Sequence, residues 1–156
     1  MLTARSYSRF AQSSSPVRDS SPDFPALVVI DKLLGGGPES RLADRIRERG
    51  GLSYTIGTSL APGSLDDNSR WMIYATFAPE NRDKVRAAVA DELARAVKDG
   101  FTAAEVDTAR RALLELRRNA RAQDGALVRG LMSQAYLDRT WAFAALAALM
   151  AAALLY

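Results

Sequence analysis

The segment from Leu34 to Tyr54 reads LGGGPESRLADRIRERGGLSY, and its two glycine runs decide how the chain is built. Between the runs lies a short charged stretch, Glu39 to Arg49, in which Leu42 and Ile46 are four residues apart. Residues with that spacing share one side of a helix, so the stretch predicts a short amphipathic helix. The glycines on both sides favour helix ends, because glycine adopts the left-handed cap conformation without a steric penalty.

A phosphate-binding loop is a second interpretation of the first glycine run. Such a loop follows a strand and ends in Gly-Lys-Ser or Gly-Lys-Thr. Here Gly35 to Gly37 follow an apolar helical pattern, and no lysine comes after them within the segment. The pattern therefore favours helix termination and close backbone packing over phosphate binding.

The rest of the chain predicts an α+β domain around this segment. Alternating apolar residues predict strands, and apolar residues at helical spacing predict helices. The expected strands are 4–12, 52–60 and 70–77, and the expected helices are 23–34, 39–49, 79–99, 102–122 and one that starts near residue 124. Because strands and helices are segregated, we expect an antiparallel sheet with helices packed on one face. We expect one domain over residues 1–140, followed by an apolar, alanine-rich helix over 141–156.

The same spacing predicts which side chains face the core. On the first hairpin strand, one side is shared by Leu52, Tyr54, Ile56, Thr58 and Leu60. The expected inward residues are Trp71, Ile73, Ala75 and Phe77 on the next strand, then Val85, Ala88, Val89, Leu93, Ala96, Val97, Val106, Ala109, Leu113 and Leu116 on two helices. The last helix carries its own apolar residues, namely Leu127, Val128, Leu131, Met132 and Tyr136. Thr102 and Glu105 have the spacing of a capping box, which predicts a helix start there.

Composition excludes several classes of function. The chain has no cysteine and no histidine, so it offers neither the usual zinc ligands nor a serine–histidine or cysteine–histidine catalytic pair. The net charge of +3 comes from arginines interspersed with acids, which is typical of solvated helices rather than of a nucleic-acid interface. The uncharged run 141–156 is shorter than the roughly 20 residues of a membrane-spanning helix. We therefore expect no metal site, no nucleic-acid partner and no membrane span. The compartment stays open, with the bacterial periplasm or cytoplasm favoured over a membrane.

Arg47 and Tyr54 are the candidate binding residues. On a helix that ends at Gly50, Arg45 and Arg49 share a face, whereas Arg47 points about 160° away from them. The glycines at 50 and 51 allow a sharp reversal, so the guanidinium of Arg47 and the phenol of Tyr54 can converge on one cleft. The alternative is that both are ordinary solvent-facing side chains.

Five short matches carry a family resemblance. They are Leu34-Gly35-Gly36-Gly37, Ser40-Arg41-Leu42, Arg47-Glu48, Gly51-Leu52-Ser53-Tyr54 and the helix start from Gly100 to Arg110. With them the chain resembles the non-catalytic, C-terminal-type domain of the pitrilysin/insulinase-type zinc metallopeptidases, the group that includes the mitochondrial processing peptidase. The resemblance implies one half of a clamshell of two homologous α+β domains.

The resemblance also implies a division of labour between the two halves. The facing half would hold zinc in an H-x-x-E-H motif, which this chain lacks, and this half would donate Arg47 and Tyr54 to the bound peptide. The expected partners are a zinc-bearing homologous domain or subunit and a peptide substrate. No cofactor and no peptidase activity are expected of this chain alone.

Two alternatives remain open at the level of sequence. Some members of the family are structural or assembly modules of larger complexes, and such a module need not keep both Arg47 and Tyr54. The apolar run 141–156 departs from the family, which suggests a truncated or frame-shifted end and a nonfunctional gene fragment.

Overall fold

The computed structural model describes residues 6–140 of the chain, and the side chains from residue 16 onward. The strands are β1 (Ser6–Ser15), β2 (Thr55–Ala61) and β3 (Ser69–Phe77). The α-helices are α1 (Phe24–Leu34), α2 (Arg82–Asp99), α3 (Ala103–Arg121) and α4 (Asp124–Tyr136), with a π-helix at Ala43–Glu48 and a short 3-10 turn at Pro79–Asn81. The predicted apolar helix over 141–156 lies outside the described residues.

The described strands form one antiparallel sheet in the order β1-β3-β2. β3 is the central strand of the three, with Thr76 opposite Thr55 on β2 and opposite Tyr7 on β1. The register of β1 shifts once, between Arg9 and Ala11. Helices pack against this sheet, so the predicted α+β class with an antiparallel sheet is confirmed.

The core lies between β3 and the helices that cover it. Its buried members are Leu42 and Ile46 before and within the π-helix, Ile73, Ala75 and Phe77 on β3, and Val85 and Val89 on α2. Alternation on β3 and helical spacing on α2 both predicted their residues correctly. Burial of each large aliphatic side chain contributes about 1.5–3 kcal/mol, so this cluster holds the π-helix against the sheet. A second, smaller cluster of Val29, Leu33 and Ala109 joins α1 to α3.

Several expected core residues are exposed instead. Val97 is 89% exposed, because the last turns of α2 border an open groove rather than contact α1. Leu116 is 62% exposed, since α3 has 19 residues against the 11 of α1 and its second half extends past that helix. Tyr54, which was expected within the strand 52–60 and not in the core, precedes β2, which begins at Thr55, and is exposed. The apolar side chains of α4 are exposed as well.

Gly35 ends α1, but for a different reason from the one expected. Its φ is −153°, not the left-handed value of a glycine cap. A Cβ at this position would lie 2.5 Å from Cγ2 of Thr58, which real structures do not tolerate. The N–H of Thr58 donates to the carbonyl of Gly35 at 3.2 Å. The glycine therefore lets the end of α1 lie directly on β2, in line with the predicted close backbone packing.

Candidate functional site

The expected short helix is shorter than predicted and is π-helical. Its π-helical part spans Ala43–Glu48 and follows two α-helical residues, 41 and 42, against the expected 39–49. The N–H of Arg49 donates to the carbonyl of Asp44 at 2.9 Å, five residues back. π-Helical turns are rare and occur frequently at functional sites. This turn carries Arg47 one residue before its end.

A left-handed glycine reverses the chain immediately after Arg47. Gly51 has a φ of +56°, a conformation that favours glycine over other residues. Its N–H donates to the carbonyl of Arg47 at 3.1 Å, and the N–H of Leu52 donates to the carbonyl of Ile46 at 2.9 Å. The reversal predicted at the second glycine run is therefore present, and it is tied to the end of the π-helix.

Arg47 lies on the surface of this reversal. Its Nε donates to Oε1 of Glu48 at 2.8 Å, and its Nη2 lies 2.6 Å from the same oxygen. Both side chains are largely exposed, and an exposed ion pair contributes only about 0–1 kcal/mol. A carboxylate or carbonyl of a ligand could therefore replace Glu48 at little cost.

Tyr54 lies on the other side of the reversal, just before β2. Its backbone N–H donates to the carbonyl of Thr76 at 3.1 Å. The preceding Ser53 is buried, and its hydroxyl lies 2.6 Å from the carbonyl of Thr55 and 2.8 Å from that of Thr76. Tyr54 is 73% exposed, and its backbone is hydrogen-bonded to the central strand.

The neighbouring arginines contact other groups. Arg45 forms ion pairs with Asp91 and, at 3.3 Å, with Glu92, both on α2. Arg49 pairs with Asp44 inside the helical segment. Arg45 therefore binds the π-helix to α2, whereas Arg47 pairs with the adjacent Glu48.

Glu92 is a buried acid that the sequence interpretation missed. It is 0% exposed, and its carboxylate lies 3.9 Å from Arg41, 3.3 Å from Arg45 and 3.1 Å from Arg95. A signal was present, since residue 92 comes three after Val89 and so falls on the apolar stripe of α2. An acid at such a position needs cationic partners inside the fold. The ion pairs of Glu92 join the π-helix to α2, so we assign this cluster a structural role and not a binding role.

Arg41 extends this cluster to the start of α3. Its Nε and Nη2 donate to the two carboxylate oxygens of Glu105 at 2.6 and 2.9 Å, and Nη2 also donates to the carbonyl of Gly100 at 3.0 Å. Its guanidinium lies 4.5 Å from the ring centroid of Phe101. The hydrogen bonds from Arg41 lower the pKa of Glu105 to about 2, and the same contact raises the pKa of Arg41. Arg41 is therefore engaged in the fold and is not available to a ligand.

Two cavities are lined by residues other than Arg47 and Tyr54. One of about 510 Å³ is an apolar groove between α1 and α2, lined by residues such as Leu34, Trp71 and Leu93. Another of about 490 Å³ lies between the glycine run and α3 and includes Lys32 and Ser40. Lys32 donates to the carbonyl of Gly36 at 2.9 Å, which closes the end of α1.

No group of three or more acidic, histidine or cysteine side chains within residues 16–140 could hold a metal ion. In the same part of the chain, no helix has the length and apolar character needed to cross a membrane.

Two solved structures that are described as inactive peptidase domains are similar to this fold. A peptidase M16 inactive domain from Pseudomonas fluorescens superposes with a TM-score of 0.76 over 90% of this chain and 32% of its own, at 22% identity. The inactive peptidase domain from Bordetella parapertussis gives 0.77 over 95% of this chain and 79% of its own, at 19% identity. At these identities the likeness shows the fold alone.

The sequence family follows from a separate match. The model of the peptidase M16 inactive domain matches residues 3–113, and the chain belongs to that family. The resemblance to pitrilysin-type zinc peptidases is thereby confirmed. An uncharacterized zinc protease of Mycobacterium bovis is 36% identical over 88 residues, which are 56% of this chain and 20% of that protein. One of Bacillus subtilis is 27% identical over 84 residues, or 54% and 20% of the two chains. The chain thus spans about one fifth of the length of the curated relatives it matches.

Proposed function

We propose that this inactive domain is the substrate-binding half of a zinc peptidase, and that it donates Arg47 and Tyr54 to a peptide held at a zinc site in a partner domain or subunit. The observation that carries the proposal is the rigid reversal at Gly51. It presents an exposed guanidinium and an exposed phenol from adjoining segments of fixed backbone.

The chemistry of these two groups suits a peptide ligand. A guanidinium and a phenol both donate hydrogen bonds, and a peptide offers carbonyl oxygens as acceptors. Donors aimed at a carbonyl on which negative charge develops stabilise the transition state of hydrolysis. A peptide carbonyl could replace Glu48 as the partner of Arg47, because the Arg47–Glu48 ion pair is exposed and water already competes for it.

Zinc itself does not fit the residues of this chain. The sequence has no histidine and no cysteine, and carboxylates do not cluster within the described residues. The metal therefore belongs, in this proposal, to a partner with the H-x-x-E-H motif. The relatives named as zinc proteases are about five times longer than the segment they share with this chain, which leaves room for such a half.

Turnover by a reconstituted pair tests the two residues. The chain is combined with a zinc-bearing, H-x-x-E-H partner encoded in the same genome, and peptide hydrolysis is measured with Arg47→Ala and with Tyr54→Phe. Each substitution is expected to lower kcat/KM by at least about tenfold. The upper limit is the factor of about 10²–10³ that is lost with one oxyanion donor. Arg49→Ala is the matched control, because Arg49 is an exposed arginine two residues away that pairs with Asp44.

Three outcomes separate the alternatives. Unchanged turnover in both variants, with the complex intact, would remove Arg47 and Tyr54 from the site and favour a structural or assembly module. A chain that enters no complex with any such partner would favour a gene fragment. Loss of turnover with equal loss in the Arg49 control would indicate a general disturbance of the π-helix.

The periplasm or cytoplasm of a bacterium is the proposed location.

A further inference from the structure

A side chain from the start of α2 contacts the reversal between Arg47 and Tyr54. Nδ2 of Asn81 donates to the carbonyl of Leu52 at 3.2 Å, although the two residues are 29 positions apart. Asn81 closes the short 3-10 turn that follows β3, and its own N–H donates to the carbonyl of Ala78 at 2.8 Å. The donor is therefore held at a half-buried position next to the end of the central strand.

The carbonyl of Leu52 lies in the middle of the reversal. The N–H of the same residue donates to the carbonyl of Ile46, and the N–H of Gly51 donates to the carbonyl of Arg47. Two residues after Leu52, the N–H of Tyr54 donates to the central strand β3. The hydrogen bond to the carbonyl of Leu52 therefore fixes the peptide group that links the anchored end of the π-helix to the anchored start of β2.

Asn81 occupies the N-cap position of α2 without capping that helix. Asparagine is among the strongest N-caps, because its side-chain oxygen can accept from a backbone N–H of the first turn. Here the side chain accepts no such bond, and the backbone is right-handed helical, with φ −90° and ψ −3°, rather than extended. Since the side-chain amide contacts the reversal instead, capping of α2 does not account for an asparagine at this place.

We propose that Asn81 is a positioning residue, which holds the reversal so that the guanidinium of Arg47 and the phenol of Tyr54 keep their places toward a bound peptide. This inference rests on the proposed function of those two residues. Hydrogen-bond donors lower a reaction barrier most when their geometry is fixed before the reaction, so a looser reversal lowers their effect. One hydrogen bond has a modest net effect, so the expected change is about two- to tenfold.

Two substitutions separate positioning from helix capping. Asn81→Asp removes the donor, but aspartate is as good an N-cap as asparagine and its charge suits a helix N-terminus. Asn81→Ala removes the donor and the capping ability together. A purely structural role would make activity follow stability, with the alanine variant below the aspartate variant, whereas a positioning role would lower the activity of both alike. Asn119→Asp is the control for an added charge, because Asn119 is exposed on α3.

Hydrogen exchange, urea unfolding and turnover are measured for these variants of the full chain. The N–H groups of Gly51, Leu52 and Tyr54 should exchange about two- to tenfold faster in both Asn81 variants. In the reconstituted pair, kcat should fall by about the same factor in both, with little change in KM, because the lost interaction acts in the transition state. The midpoint of urea unfolding should be higher for Asn81→Asp than for Asn81→Ala, and Asn119→Asp should leave exchange and turnover unchanged.

Four outcomes would contradict this account. Turnover that is kept in Asn81→Asp and lost in Asn81→Ala would follow stability and overturn the proposal. Unchanged exchange at the three N–H groups would overturn it as well. Faster exchange with unchanged turnover, while Arg47→Ala and Tyr54→Phe lower turnover, would overturn this inference and leave the proposed function standing. Unchanged turnover in Arg47→Ala and Tyr54→Phe would overturn the proposed function and this inference together.

Discussion

At the scale of single residues, charge is used in two distinct ways near the π-helix. Glu92 and Arg41 hold elements together from the interior, with several partners each. Arg47 pairs with the exposed Glu48, and Tyr54 is exposed seven residues further along the chain. Sequence spacing nominated Arg47 and Tyr54, but it missed Glu92, because burial of an acid depends on arginines that lie far away in sequence.

The Arg41–Glu105 pair predicts a specific loss of stability in acid. The folded state holds the pKa of Glu105 at about 2, below its ordinary 4.5, so the unfolded chain binds more protons between these values. The contribution of the pair is therefore complete above about pH 4.5 and is lost as the pH falls toward about 2.

Glu105→Gln isolates this contribution. Urea unfolding of the variant and the native chain should show a difference in free energy of unfolding near neutral pH that shrinks as the pH falls from about 5 to 2.5. Glu115→Gln is the control, since Glu115 pairs with Arg118 at an exposed position on the same helix. A difference that stays constant over this range would contradict the assigned role of the ionised carboxylate.

At the scale of elements, local signals were reliable and long-range ones were not. α1 was expected from residue 23 and begins at Phe24, and the capping box at Thr102 and Glu105 is present with both reciprocal hydrogen bonds. These features depend on neighbours in sequence. The π-helical form of the 43–48 turn and the exposure of Val97 and Leu116 depend on which helices meet, and spacing within one helix contains no information on that.

The contact between α1 and β2 predicts the effect of a methyl group at Gly35. Gly35→Ala should destabilise the fold by about 1–3 kcal/mol, because the added Cβ would lie 2.5 Å from Cγ2 and 2.8 Å from the backbone nitrogen of Thr58. The midpoint of urea unfolding measures it. Gly125→Ala is the matched control: its Cβ would meet only the end of Arg129 at 3.5 Å, and alanine favours a helix by up to about 1 kcal/mol. Equal effects of the two substitutions would refute the close approach at Gly35.

At the scale of the whole molecule, the sequence has no histidine and no cysteine, which agrees with the match to a family of inactive domains. The chain belongs to the inactive domain of the M16 peptidases and shares about one fifth of the length of its curated relatives. The motifs in the Leu34–Tyr54 segment were specific enough to predict the family. Two of their glycines are required by the backbone, since Gly35 has no room for a Cβ and Gly51 has a positive φ. The proposed zinc site would lie in a second domain or chain, and the sequence of one domain does not specify that partner.

The central claim is that this domain completes a peptidase site without forming one. Peptide hydrolysis by the zinc-bearing partner is measured alone, with this chain added, and with this chain by itself. We expect the chain alone to retain no zinc after dialysis and to cleave nothing, and the pair to exceed the partner alone by about 10²-fold or more, the effect of one lost oxyanion donor. A partner equally active without this chain, or zinc-dependent cleavage by this chain alone, would contradict the account.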